Sequence, residues 1–339
     1  MTEPGTVGDS RRPALISSAL RSLAREYRDV VDVPVIPFPG GAGIHDPSGS
    51  FVWLDEQPER LLGAAIALHL RKGTDRLDVV IPEIHRAIAP AVARRAAQWD
   101  IGADVFLLEG KTLAHVDPAA AELERECDFD VEAFRPVIVE AGAEAVIEHG
   151  VLTGEVAGLE VCRLVFEDDW RLRVGVGSQD REAFHMLHGD APALGSLLKV
   201  VEFVQAYRQP SADPHPLNRL SPERWMRSSF LLTNLAARGT TTQMPGVLPR
   251  GSMADASPAF AVTERDGNRV LYAFTTGTDL GAVVDAADHA EWSAHESEVR
   301  EIIIVVKGNN RLPVLDVMTQ RSVRPMRIVS QDELVSLRE

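Results

Sequence analysis

Apolar and polar positions along this chain fall into two repeating orders. Runs of four to six apolar-rich residues, Phe51–Leu54, Leu77–Ile81 and Val105–Leu108, are separated by stretches of helical spacing near Glu59–Arg71 and Ala87–Gln98. The same order returns at Val270–Phe274, about Leu280–Glu291, Glu301–Val306, near Leu312–Arg321, and Met326–Val329. Short apolar strands alternating with helices predict a parallel sheet covered by helices. Residues 51–109 and 270–329 therefore predict two βαβαβ-type units of an α/β protein, and their echo allows a divergent duplication. A binding site in such a layer is expected at the carboxyl ends of its strands.

Helix faces refine this picture. Leu61, Leu62, Ala65 and Leu68 make one apolar stripe, and Ile88, Val92 and Ala96 another, with Arg94, Arg95 and Gln98 facing away. Pro90 suits the first turn of the second helix. Trp53 and Trp99 are expected in the core. Before the first unit, Ile16, Leu20, Leu23 and Tyr27 predict a helix over 13–27. The following VVDVPVIPFPGGAG reads as an edge strand or ordered loop, because its prolines cannot donate to a ladder. Gly40, Gly41 and Gly43 read as a tight turn.

Between the units the pattern changes. Asp117 and Pro118 predict the start of a helix through PAAAELEREC. Residues 144–177 read as a meander of antiparallel strands, punctuated by Gly150, Gly154 and Gly158 and turned at Asp168 and Asp169. Helices follow at DREAFHML, capped by Asp180, at Leu194–Tyr207, and at PERWMRSSFLLTNLAAR. Residues 239–258 carry three prolines and three glycines and read as a long linker or flap. Asp266–Gly267 marks a hairpin. The expected organisation is a disordered tail (1–12), an α/β unit (13–115), an α+β middle domain (116–237), a linker (238–258) and a second α/β unit (259–339).

Composition narrows the function. The 339 residues carry 50 acidic and 35 basic side chains, a formal charge of −15, which works against bulk nucleic-acid binding. No apolar run is long enough for a membrane span, and the opening MTEPGTVGDSRR lacks the apolar core of a secretory signal. A cytoplasmic, bacterial home is expected. Cys127 and Cys162 match no metal spacing and read as reduced thiols.

No Walker loop, GxGxxG, HExxH, GxSxG or CxxC occurs. The densest polar cluster is Glu148, His149, Glu155, Glu160, Arg163, Asp180, His185 and His188. Strand alternation puts Glu160 with Cys162 on one face and Val161 with Arg163 on the other. Glu160 resembles the acidic residue of a metal-dependent restriction-type nuclease, with Cys162 where that pattern has a lysine. Glu160, Asp180 and His185 are the catalytic candidates of that reading, with no metal ligand assigned. Asn218 and Arg219, in the donor-rich HPLNRLSPERW, and Thr276, Thr278 and Asp279, in the TTGTD turn, are the ligand-binding candidates. No cofactor is implied. The leading expectation is a non-enzymatic structural, interaction or small-ligand-binding protein, self-associating as a homodimer or meeting a protein partner. The alternative is a metal-dependent hydrolase or nuclease-like enzyme centred on the middle domain.

Overall fold

The computed structural model describes residues 12–30, 32–73, 76–121, 127–188, 193–209, 211–234, 240–265, 267–294 and 298–336. Residues 1–11 of the expected tail, Asp266 and the core of the helix proposed over 118–127 lie outside these residues, while Arg12, expected in the tail, begins a helix. In chain order the first sheet is built from α1 (Arg12–Arg28), β1 (Ile36–Phe38), β2 (Gly41–Asp46), β3 (Gly49–Leu54), α2 (Pro58–Leu70), β4 (Leu77–Pro82), α3 (Ala89–Ala96), β5 (Ala103–Glu109) and β6 (Thr112–His115). The middle segment contributes α4 (Arg135–Glu140), β7 (Glu144–Glu148), β8 (Val151–Val156), β9 (Leu159–Phe166), β10 (Trp170–Val174), α5 (Gly177–His188) and α6 (Ala193–Tyr207). The last segment has α7 (Pro222–Asn234), β11 (Thr240–Met244), β12 (Ala259–Arg265), β13 (Asn268–Thr275), α8 (Gly281–Ser293), β14 (Val299–Val306), α9 (Pro313–Gln320), β15 (Met326–Ser330) and α10 (Gln331–Ser336). No described helix is long and apolar enough to cross a membrane.

The class is α/β, with three sheets. Their orders are β1-β2-β3-β4-β5-β6, β10-β9-β8-β7 and β11-β12-β13-β14-β15. In the first, β1, β2 and β3 pair antiparallel, and β3, β4 and β5 pair parallel. In the third, β11, β12 and β13 pair antiparallel and β13 pairs parallel with β14. The two sheets share one connectivity: a helix, three antiparallel strands, then two helix crossovers. The match therefore extends beyond the two βαβαβ patterns, to 12–109 and 222–330. Each leading helix covers a sheet face. Ile16, Leu20 and Leu23 of α1 pack with Ile44, Phe51 and Trp53, and Met226 and Phe230 of α7 pack with Ala261, Phe274 and Ile303.

The chain divides into two compact units. One holds Met1–Ala121, Leu280–Glu296 and Arg311–Ile328, and the other Glu122–Asp279, Ser297–Asn310 and Val329–Glu339. Inside the first, α2 packs on α8 and α9, and α3 packs on α8. Gly63 permits the close approach, since a Cβ there would lie 2.3 Å from the Leu280 carbonyl oxygen. Arg94 grips Asp288 with two hydrogen bonds of 2.8 and 3.0 Å, and the buried Arg95 pairs with Asp285. These arginines were expected to face away; they instead link α3 to α8.

Other expectations shift as well. Tyr27 is exposed, and its hydroxyl donates to the Lys111 carbonyl and accepts from the Leu113 N–H. Residues 117–121 are not helical, because the Ala119 N–H bonds the Pro90 carbonyl and Arg94 bonds the Ala120 carbonyl. The expected linker contains β11, an edge strand on β12. Gly154 does not punctuate the meander. It lies within β8, where a Cβ would come 2.5 Å from the Cys162 sulfur.

Candidate functional site

The middle sheet of the second unit carries two buried carboxylates, Glu155 and Glu160, with the buried Arg224 and Arg227 of α7 beside them. Its core is Ile138, Leu152, Leu159, Val161, Cys162 and Leu164 with Leu197, Val201 and Val204 of α6. The β8–β9 turn is Ala157–Gly158, both at positive φ. Gly158 is required there, because a Cβ would lie 2.6 Å from the backbone of Arg224. The turn thereby seats the start of α7 against the sheet.

A bulge decides which side chains meet. Gly154 faces Cys162, yet Glu155 faces Glu160, so β9 holds one extra residue opposite β8. The insertion breaks the expected alternation of Glu160 and Arg163 to opposite faces. Arg163 forks onto Glu160 instead, at 3.0 and 2.8 Å, and Arg181 of α5 reaches the same carboxylate at 2.5 Å. Glu155 pairs with Arg224 and, at 3.5 Å, with Arg227, and Arg224 also pairs with Glu148. Glu155 and Glu160 are 2% and 3% exposed, and buried carboxylates of this kind require such partners.

The electrostatics follow from burial and pairing. Burial alone would raise the Glu148 carboxyl, but Arg224 and Arg227 hold it below its ordinary value. Burial likewise pulls on Arg224, and Glu155 and Glu148 outweigh it, holding the guanidinium above its usual value. Arg250 moves down, through burial and then repulsion from Arg224. Burial pushes the Glu223 carboxyl up to about 7 and the Cys162 thiol up to about 12. The thiol at Cys162 is thus protonated and unsuited to attack.

Beside this network opens a cleft of about 490 Å³, lined by Glu160, Arg163, Arg181, Arg250, Ser178 and Met253 among others. Its lining holds three guanidiniums and one carboxylate, and two of the three, Arg163 and Arg181, are paired with that carboxylate, Glu160. The rim carboxylates are engaged by backbone: Asp180 accepts from the Val176 N–H at 2.7 Å and Asp255 from the Ser252 N–H at 2.8 Å. The first of these engages the N–H of Val176, just ahead of α5.

Of the sequence candidates, Glu160 lines the cleft and Asp180 stands at its rim on the first turn of α5. His185 lies further along α5, and its side chain and that of His188 are outside the described residues. Asn218 and the exposed Arg219 form a short turn with Pro216 and Leu217, and the next residue, Leu220, lines the cleft. Thr276, Thr278 and Asp279 do not line it. They follow β13, in a turn whose Gly277 backbone is pressed against Asn310, with the Thr275 hydroxyl accepting from the Gly277 N–H at 3.3 Å. The N-cap of α8 is Leu280, without a side-chain cap. Sequence reasoning missed Arg250, which sits in the tract read as a linker. Its one signal was a lone arginine between proline and glycine.

Comparison with protein-family models, with curated proteins and with solved structures finds no match.

Proposed function

We propose that this chain is a non-enzymatic binding protein that takes a small anionic ligand in the middle-sheet cleft. One observation carries the reading: Arg163, Arg181 and Arg250 all line a cleft whose only lining carboxylate among the described residues is Glu160. Guanidinium forks suit carboxylate and phosphate oxygens. Buried pairs with Glu148 and Glu155 hold the arginines behind the cleft, so the site is built on a fixed frame. The matching connectivity of the two α/β sheets supports a divergent duplication.

Metal-assisted hydrolysis through Glu160, Asp180 and His185 is the weaker reading. Both Glu160 oxygens already accept from guanidiniums, and Asp180 accepts from backbone. A divalent cation would have to displace these positive partners.

A thermal-shift comparison separates the two. Small anions at constant ionic strength should raise the melting temperature, with Mg²⁺, Mn²⁺ and Zn²⁺ leaving it unchanged. Stabilisation by a divalent cation that is lost in Glu160→Gln would favour the hydrolase reading instead.

A further inference from the structure

Ser221 holds an unusual backbone conformation for its type. Its φ is +43°, in the left-handed region that glycine adopts freely and other residues adopt at a cost. It is also 1% exposed. Its backbone is fully used: the N–H donates to the Met253 carbonyl at 2.9 Å, and its carbonyl accepts from Arg208 at 2.9 Å and from the Trp225 N–H at 3.2 Å. Glycine would keep all of these bonds and remove the strain. What glycine lacks is the hydroxyl, and that hydroxyl accepts from Arg250 Nη1 at 2.7 Å. Arg250 and Met253, the two residues that Ser221 holds, both line the cleft.

We infer that Ser221 is a positioning residue for anion binding, its hydroxyl fixing the Arg250 guanidinium toward the cleft while its backbone pins the 250–253 wall. The inference rests on the cleft being the binding site. Strain at such a position is characteristic of sites where geometry serves function. A fixed fork loses less freedom on meeting an oxyanion than a mobile one.

The test compares wild type with Ser221→Gly and Ser221→Ala by three readouts. These are melting temperature, titration with inorganic phosphate, and the rate at which phenylglyoxal modifies Arg250, followed by peptide mass mapping. Both variants should bind phosphate several-fold more weakly, because the Arg250 fork must then be immobilised on binding. Both variants lose the hydroxyl's bonds to Arg250 and to the Met253 carbonyl, and only glycine relieves the positive φ. Ser221→Gly should therefore melt above Ser221→Ala while binding phosphate equally weakly, a combination that loss of structure does not produce. Arg250 should be modified several-fold faster in both variants. Unchanged phosphate affinity together with unchanged Arg250 reactivity would overturn the inference. If wild type binds no phosphate but Arg250 reactivity still rises in the variants, the positioning role stands and the ligand reading falls. If neither effect is seen, both fall.

Discussion

Glu155 and Glu160 stand directly opposite one another across the β8–β9 ladder, two buried carboxylates at adjacent cross-strand positions. Like charges so placed repel. They are kept apart in function by different partners: Glu155 meets Arg224 and Arg227 of α7, and Glu160 meets Arg163 and Arg181. Removing one partner of a buried pair leaves an uncompensated charge. Arg224→Ala is therefore expected to lower stability by about 3–5 kcal/mol, measured by urea unfolding. Arg135→Ala, which breaks a solvent-exposed pair with Glu132, is expected to cost under about 1 kcal/mol.

The first unit offers an independent test of the same rule. Arg95 is 1% exposed and pairs with Asp285 between α3 and α8. Arg95→Ala should destabilise by about 3–5 kcal/mol, whereas Arg95→Met, which fills the space with apolar atoms, should cost less. Equal losses in the two variants would show that charge rather than packing dominates there.

Acid and base act on the second unit in opposite senses. The Glu148 carboxyl is held below its ordinary value of 4.5, so its contribution is present above that value and is lost as pH falls through the lower folded value. The Glu223 carboxyl is raised from 4.5 to about 7. The folded state then holds the proton more tightly, and this contribution is full below 4.5 and lost as pH rises through about 7. Wild type should therefore lose stability relative to Glu223→Gln between about pH 4.5 and 7, by roughly 3 kcal/mol at most. Parallel stability curves for the two proteins over that window would contradict the assignment.

Thiol chemistry gives a simple check on the middle core. Cys162 is buried with its thiol pushed up to about 12, while Cys127 is half-buried. A thiol reagent such as DTNB should titrate Cys127 in the native protein and reach Cys162 only after denaturation. Prompt reaction of both thiols in native protein would place Cys162 outside the core.

The crossover helices and the parallel strands of both α/β sheets were legible because each such strand is a compact apolar run and each such helix carries a stripe. By contrast, Gly41 and Gly43, read as part of a tight turn, lie within β2, and the short β6 was not anticipated. The meander was legible through its turns, His149–Gly150 and Ala157–Gly158, both at positive φ. Other features left no periodic mark. β11 is the polar run Thr240–Met244, an edge strand whose side chains need not be apolar. The bulge in β9 adds one residue without changing composition, and it alone turns Glu160 and Arg163 from opposed into paired. The arginines of α3 looked solvent-facing because the acidic partners on α8 lie about 190 residues away in sequence. Arg250 was illegible for the same reason: its site is assembled from a strand, a helix and a loop that sequence spacing does not connect.

The most direct measurement is calorimetric titration of inorganic phosphate into wild type and Arg250→Gln at constant ionic strength. Arg250 has a neutral hydroxyl as its hydrogen-bond partner, so its replacement should leave the Glu148, Glu155 and Glu160 pairs standing. Saturable binding by wild type, weakened at least tenfold in a variant with unchanged melting temperature, is the expected result. No binding by wild type, or equal binding by both proteins, would contradict an anion site in this cleft.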